Sequence, residues 1–465
     1  MEFRSILSYL GTVLEVMGIV CILPVFIAWI YGENTHTLFF ITAVISFVLG
    51  IFLDRKFRKK ELTISSAMVL ASMSMIVISF VGIIPFLWNL SPLDALFESV
   101  SGFTTTGLTT VKPETLPFSL IFWRSLTQWA GGLGILVIFL YLVNSPGISS
   151  YYGRKPEADE IKKKSFVRKA MLIYGAITFV GFILLLLAGL GGFDSIVTSL
   201  SSVSTGGFST KNASIAAYDS IFVEFIVMIL MIAGATSFLL IEGMTRGKFR
   251  DYIRSAETRL FWSLIVLFTI LVSFAMFEIG QPARHALFLT VSALTTGGFT
   301  TLETYSGLTI LLLLVLMIIG GYSASTAGGM KLVRAGIIGK SFPWIGKKVT
   351  LPQEAIVPLK YDERVIRDSE VTTVAIFVAI YVLFLFGSAV ILTFMGYPPL
   401  NSLFQAASAQ GNVGLSAIPM ETINPLGKLL LMVNMLLGRL EIFPVMGFLY
   451  VLVKTQFGRK DIVSG

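Results

Sequence analysis

Long apolar runs alternate with short polar joins along almost the whole chain. The runs fall at about 6–31, 37–53, 64–88, 117–143, 166–190, 219–241, 259–279, 306–338, 371–396 and 426–453. A helix needs roughly 20 apolar residues to cross the hydrocarbon core of a bilayer, so the pattern predicts an all-α membrane protein with about ten transmembrane helices. The first run is far longer than the roughly 7 to 15 residue core of a signal peptide, and only Arg4 precedes it as a basic residue. It therefore reads as a retained helix. Four further stretches, 91–102, 192–203, 281–294 and 399–410, are helical in pattern but too short to span.

Composition sharpens this reading. Charged residues make up 13% of the chain and apolar ones 55%, whereas a soluble domain carries roughly a quarter charged residues. The single cysteine, Cys21, lies inside the first apolar run, which removes an intramolecular disulfide and leaves a Cys-based zinc or redox site without partners. His36 and His285 are far apart, neither opens an H-E-x-x-H, and no G-x-S-x-G occurs. With the common hydrolase signatures missing, the expectation is a protein that is not an enzyme and binds no cofactor.

The basic residues are distributed unevenly. If the N-terminus is inside, 29 of the 35 fall on cytoplasmic segments, and only Lys112, Lys211, Arg284 and Lys428 fall outside. Lysine and arginine near span ends are retained on the cytoplasmic side, so both termini are expected in the cytoplasm, in a multi-pass protein of the cytoplasmic (inner) membrane. The same bias accounts for the net charge of +8 without nucleic acid as a partner. The outer segments carry acids instead, among them Glu33, Asp94, Glu114 and Asp219. These either concentrate cations at an outer vestibule or serve as ordinary loop charges and helix caps.

The most informative feature is a repeat. SGFTTTGLT at 101–109, SSVSTGGFS at 201–209, SALTTGGFT at 292–300 and SAQGNVGLS at 408–416 align without gaps. Each has a serine six before a glycine, then Leu or Phe, then Thr or Ser. Each follows one of the short helical stretches and sits on the outer side between two spans. Span, short helix, polar loop and span, repeated four times in parallel, describes a set of pore helices and loops around a central pathway. Irregular backbone at membrane depth is tolerated only where protein or a water-filled cavity satisfies it. The loop glycines, Gly107, Gly207, Gly298 and Gly414, let carbonyls turn toward an axis. Carbonyl and hydroxyl oxygens there can replace the hydration shell of a monovalent cation. The alternative is close helix packing through small residues, which a single copy would favour and four aligned copies do not.

In these motifs the chain resembles the membrane subunits of Trk/Ktr-type potassium transporters. The extra N-terminal helix pair makes it more similar to the TrkH branch than to KtrB. Beyond the loops, the likeness includes WRSLTQWAGGLG at 123–134, GYSASTAGGMK at 321–331 and GRLEIFP at 438–444. The resemblance implies potassium uptake through a selective, gated, channel-like pore. Its K⁺ selectivity filter would comprise Thr105, Thr106, Gly107 and Leu108, Thr205, Gly206, Gly207 and Phe208, Thr296, Gly297, Gly298 and Phe299, and Asn412, Val413, Gly414 and Leu415. It further implies a homodimer resting on a cytosolic RCK-type regulatory subunit, TrkA- or KtrA-like, that binds nucleotide. The cytoplasmic basic clusters, including Lys162, Lys163 and Lys164, either meet that partner or only set topology. The expected divisions are an N-terminal hairpin at 1–63 and pore repeats at 64–164, 165–257, 258–369 and 370–465. A cation-coupled secondary transporter is the rival reading, although such proteins usually show inverted repeats.

Between Gly320 and Gly329 the second span of the third repeat becomes a run of small and hydroxyl residues. Glycine weakens a helix interior, so the span is expected to break there. With the resemblance, Gly320, Gly321, Ser325, Thr326, Gly328, Gly329 and Lys331 read as a gate below the filter, and otherwise as a packing face. Arg439 lies inside the last apolar run, where an unpaired charge is costly. It reads as repelling cations and pinning that loop, or as a structural pair with an acid such as Glu242 or Glu441, and the two readings can both hold. Arg124, nearer a span end, reads as structural.

Overall fold

A computed structural model describes residues 3–57, 59, 62–143, 160–278, 280–352, 357–362 and 364–441. It separates into two units, Met1–Ser99 with Pro117–Leu120 and Leu440–Gly465, and Val100–Leu116 with Ile121–Arg439.

In the first unit, α1 (Phe3–Val20) and α2 (Ile22–Ile30) form one apolar rod interrupted at Cys21, and α1 lies along α3 (His36–Lys56). Small residues bring these backbones together. A side chain on Gly11 would put its Cβ 2.6 Å from the Gly50 carbonyl oxygen, and one on Gly18 would put it 2.9 Å from that of Ala43. Membrane helices associate through such glycine-lined seams, because lipid removes the hydrophobic incentive to pair. Ser8 Oγ donates to Asp54 Oδ1 at 2.7 Å across the same seam, and Lys59 pairs with Asp54 at 2.9 Å. Beyond α4 (Ile64–Val81), α5 (Pro92–Phe103) opens with a reciprocal cap between Ser91 and Asp94. The Glu33 carboxylate accepts from the Phe118 and Ser119 N–H groups at 2.6 and 3.0 Å. These are unsatisfied donors at the start of α6 (Phe118–Val143). Two of the acids expected on the outer side, Glu33 and Asp94, are therefore engaged at helix starts.

The second unit continues through α7 (Glu160–Leu187), α8 (Gly192–Val203), α9 (Ile221–Ala235), α10 (Phe238–Thr245), α11 (Phe249–Arg254), α12 (Ala256–Ala275), α13 (Pro282–Leu294), α14 (Gly307–Ile319) and α15 (Leu332–Thr350). After a hairpin come α16 (Asp368–Phe394), α17 (Pro399–Gln410) and α18 (Pro425–Leu440). The four short helices α5, α8, α13 and α17 lie within one residue of the stretches expected from sequence. Lys162, Lys163 and Lys164 belong to the first two turns of α7, and their side chains lie outside the described residues.

Burial is inverted relative to a soluble protein. Trp29, Phe222, Phe274 and Leu383 are about 70% exposed, whereas Ser199, Ser201, Thr205, Thr296 and Gln405 are wholly buried. Apolar side chains outside and hydroxyls inside suit a hydrocarbon solvent. This is an integral membrane protein.

Among the described residues six helices are long and apolar enough to cross a membrane, or seven if one bent pair is counted as a single span. Four of the ten expected runs are not among the six, one of them the run at 117–143, whose side chains beyond residue 137 lie outside the described residues. The run at 219–241 is not one rod, since α9 and α10 meet at 102°. The run at 306–338 stops at Gly320, leaving α14 only 13 residues long. The run at 426–453 continues past residue 441, outside the described residues. One departure from the all-α expectation is an antiparallel hairpin, β1 (Leu359–Tyr361) and β2 (Arg364–Ile366). Its Leu359, Tyr361 and Ile366 bury against Ala256, Ile337 and Val374 at the starts of α12 and α16 and on α15.

The α1–α3 seam gives the first prediction. Gly11→Leu forces a branched side chain onto the Gly50 carbonyl and the Asp54 amide, and overpacking of this kind costs on the order of 1–3 kcal/mol. The thermal unfolding midpoint in detergent should fall by several degrees relative to the parent protein. An unchanged midpoint would mean that the two helices do not depend on this approach.

Candidate functional site

The four aligned loops share one backbone path. Each short helix is followed by a residue in the left-handed region, Thr105, Thr205, Thr296 and Asn412, with φ between 52° and 54°. The N–H of that residue bonds back to the carbonyl of Gly102, Ser202, Ala293 or Ala409 at 2.9–3.3 Å. The next N–H, from Thr106, Gly206, Gly297 or Val413, bonds to the carbonyl of Ser101, Ser201, Ser292 or Ser408 at 2.8–2.9 Å. Together these bonds form the Schellman arrangement, which satisfies the last carbonyls of a helix. Glycine or asparagine normally takes the left-handed position, and a β-branched residue there is strained. Three of the four loops carry that strain on threonine.

In three of the four copies the opening serine braces the loop, and in the second the Ser201 hydroxyl has no such bond. Ser101 Oγ donates to the Leu108 carbonyl and Ser292 Oγ to that of Phe299, both at 2.6 Å, and Ser408 Oγ accepts from the Gly414 N–H at 3.0 Å. Leu108, Phe208, Phe299 and Leu415 are buried behind the loops, so they serve as apolar anchors.

The loop glycines meet one another in cyclic order. A Cβ on Gly107 would fall on the Gly206 carbonyl oxygen and one on Gly298 on that of Val413, while one on Gly414 would fall on that of Thr106. A Cβ on Gly207 would lie 2.8 Å from the Gly297 carbonyl oxygen. First meets second, second meets third, third meets fourth, and fourth meets first. Each of these glycines also has positive φ, from 72° to 99°, so a side chain is excluded both by space and by conformation. The fourth loop, divergent in sequence, keeps the common backbone and adds a tie. Asn412 Nδ2 donates to Thr106 Oγ1 and to the Met435 carbonyl, both at 2.9 Å.

Against this ring lies the glycine-rich segment between α14 and α15. Gly328 N–H donates to Thr296 Oγ1 at 2.8 Å, Gly329 N–H to the Gly411 carbonyl at 3.0 Å, and Thr205 Oγ1 lies 3.3 Å from Thr326 Oγ1. The segment also fills the bend between α9 and α10. Thr326 N–H donates to the Gly234 carbonyl and Tyr322 N–H to that of Ala235, both at 3.1 Å, and Phe238 N–H returns a bond to the Ala324 carbonyl at 3.0 Å. Ser325 Oγ donates to the Tyr322 carbonyl at 2.6 Å, Leu332 N–H to that of Gly321 at 3.0 Å, and Lys331 Nζ to that of Ala327. Arg439, 3% exposed, donates to the Thr326 carbonyl at 2.6 Å and to the Gly131 carbonyl at 3.3 Å. Glu242 pairs instead with Arg246 and, at 3.8 Å, with Lys169. Arg439 thus bonds the loop through the Thr326 carbonyl. The Arg124 guanidinium lies 4.0 Å from the Phe208 ring centroid, a packing role.

All sixteen residues expected around the loops and the eight expected around the break fall within the second unit. Sequence reading gave no role to Gln128, although an amide in an apolar helix was the available signal. It also missed the break at Thr236 and Ser237, where Gly234 and Ala235 were that signal. Among the described residues no cluster of three or more His, Cys, Asp or Glu could hold a metal ion.

A model of the TrkH cation transport proteins matches residues 34–456. The chain belongs to the TrkH family. An uncharacterized cation transporter of Methanocaldococcus jannaschii is 32% identical over 96% of this chain and 95% of its own. The Trk system potassium uptake protein TrkH of Escherichia coli is 29% identical over 96% of this chain and 98% of its own. The crystal structure of the potassium transporter TrkH from Vibrio parahaemolyticus matches with a TM-score of 0.89 at 29% identity, covering 99% of this chain and all of that one. The TrkH family is one of transporters, and no enzymatic family is indicated.

Within this TrkH-family chain, the Asn412 tie is testable. Asn412→Leu would remove the amide's bonds to the Thr106 hydroxyl and the Met435 carbonyl, at a cost of roughly 0.5–1.5 kcal/mol each. The melting temperature should drop measurably, and Asn412→Asp should not restore it because a carboxylate cannot donate. Equal melting of all three proteins would show that the tie contributes nothing.

Proposed function

We propose that this chain moves K⁺ into the cell through a selective, gated, channel-like pore. The single observation that carries the reading is the closed cycle of glycine and carbonyl contacts among the four loops. Four backbone strands with no side chain at their meeting points leave carbonyl oxygens to line a narrow axis, the kind of oxygen set that replaces a cation's hydration shell. The short helices end at the loops, so their C-terminal partial charges favour a cation there. The filter in this reading is formed by Thr105 to Leu108, Thr205 to Phe208, Thr296 to Phe299 and Asn412 to Leu415, with K⁺ as cargo.

The architecture proposed around it is about ten spans, as an N-terminal hairpin and four parallel repeats bounded near residues 64, 165, 258 and 370. Both termini are proposed to lie in the cytoplasm, within the inner membrane, on the strength of the basic-residue bias. The family names of the relatives support potassium as the ion. Regulation by a cytosolic nucleotide-binding subunit and assembly as a homodimer belong to the same proposal. A cation-coupled transporter is the second reading, favoured by the two broken helices, since discontinuous helices at midplane are common in such proteins. Flux that requires Na⁺ or H⁺ as co-substrate would select it.

Isotope flux into liposomes with competing cations tests the filter. Gly107→Ser, Gly207→Ser, Gly298→Ser and Gly414→Ser should each lower K⁺ preference and admit Na⁺, because a Cβ there displaces a neighbouring carbonyl. Undiminished discrimination in well-folded variants at all four positions would remove the assignment.

The gate is the segment Gly320 to Lys331 with Arg439. Shortening the chain between Gly321 and Gly328 should increase K⁺ flux, and Arg439→Ala should act in the same direction by releasing the Thr326 carbonyl. A cation passing at about 6 Å from the guanidinium is opposed by roughly 3 kcal/mol at an effective dielectric near 20, enough to slow passage about a hundredfold. Lower or equal flux in both purified, folded variants would mean that loop and arginine hold the fold and do not gate it.

A further inference from the structure

Gln128 is wholly buried on α6 and belongs to none of the four loops. Its carboxamide nevertheless grips the second of them at two points. Nε2 donates to the Gly206 carbonyl at 2.6 Å, and Oε1 accepts from the Phe208 N–H at 3.2 Å. The two bonds reach the peptide groups on either side of Gly207, so the side chain spans the residue that meets the third loop. One turn earlier on the same helix face, the Arg124 guanidinium lies over the Phe208 ring. Thus α6 holds both the backbone and the anchor side chain of this loop.

The other inner helices do something different. Met231 on α9 backs Gly297 with its thioether, where a Cβ would meet the sulfur. On α14, the Met317 carbonyl faces Gly411, and on α18 the Met435 carbonyl receives the Asn412 amide. Methionine thus stands beside the loop in three helices and glutamine in one. A Cβ on Gly206 would overlap the Gln128 amide, so glycine at 206 and glutamine at 128 are matched in volume. Two consecutive glycines are the most freely moving backbone a chain can have. At Gly206 and Gly207 that freedom is removed by a bidentate side chain. The Gly206 carbonyl has two lone pairs, and the amide takes only one of them.

We propose that Gln128 is a positioning residue for ion discrimination: its carboxamide splints Gly206 to Phe208 and fixes the direction of the Gly206 carbonyl. The inference rests on the reading of the four loops as the ion-selecting segment. It makes the second loop the stiffest part of the ring, and ties selectivity to a side chain outside the loops.

The test is the ratio of K⁺ to Na⁺ uptake into liposomes for Gln128→Met and Gln128→Glu, with Gly207→Ser alongside and thermal unfolding recorded for each. Gln128→Met installs the residue found in the other inner helices, at similar volume and without either hydrogen bond. Gln128→Glu keeps an acceptor for Phe208 and loses the donor to Gly206. Both should lower the ratio on the order of fivefold, as expected from losing one or two neutral hydrogen bonds. A purely structural role would lower the melting temperature and leave the ratio alone. If folded Gln128→Met retains the parent ratio while Gly207→Ser loses it, the inference is overturned and the filter reading stands. If neither substitution moves the ratio, Gly206 to Phe208 take no part in discrimination and this inference is overturned, and the filter reading as a whole falls only if the other three glycine variants are equally silent. Should Gln128→Met not be recovered folded, Gln128→Glu decides by the same criterion.

Discussion

Backbone N–H and C=O groups within a bilayer have no water to bond, and each one left unpaired costs several kcal/mol. Continuous helices avoid the problem, but this chain breaks its helices in several places at once. The four loop turns pair their own helix ends through Schellman bonds. The two broken spans pair with each other. Gly234 and Ala235 lose helical partners where α9 stops, and Thr326 and Tyr322, freed by the break after α14, supply the missing N–H groups. Neither break would be tolerable alone, and together they form a knot of irregular backbone enclosed by helices.

That dependence links the proposed gate to the proposed filter. The segment from Gly320 to Lys331 bonds to Thr205, Thr296 and Gly411 on three different loops, and to Arg439 on α18. Moving it uncovers a hydroxyl on two loops and a carbonyl on a third. Its position and the geometry of the ring are thus coupled through ordinary hydrogen bonds, with a free-energy cost of about 1 kcal/mol for each bond lost. Gly131 and Thr326 share the Arg439 guanidinium, so a single side chain also ties α6 to this segment.

How much of this could be read from the chain depended on how far each signal extended. The short helices α5, α8, α13 and α17 were legible because amphipathic length and a terminal glycine motif coincided four times. The break at Gly320 was legible because glycines and hydroxyl residues cluster over ten positions. The bend at Thr236 was not, since Ala-Gly-Ala-Thr-Ser resembles an ordinary small-residue packing face in an apolar run. Its cause lies in Thr326 and Tyr322, about 90 residues away. Asn412 looked like a departure from the threonine pattern, yet it takes the same left-handed conformation that Thr105, Thr205 and Thr296 occupy with strain. The hairpin at 359–366 is too short to announce itself by alternation.

The choice of threonine at three of those positions bears on how the ring is held. A β-branched residue at φ near +54° carries strain on the order of 1–3 kcal/mol, and asparagine in its place would relieve much of it. Threonine supplies a hydroxyl instead, which at 205 and 296 reaches the segment beneath. Asparagine, at the fourth position, reaches sideways to Thr106 and Met435. A ring of identical subunits would have to accept one solution at every position. Four repeats on one chain can divide the tasks, so that the second and third loops hold the segment beneath through hydroxyls, the fourth bonds it through its backbone while tying itself to the first, and the second is also splinted by Gln128. The asymmetry of this ring is therefore a consequence of its covalent continuity, and each loop can be tuned by a neighbour that the other loops do not share.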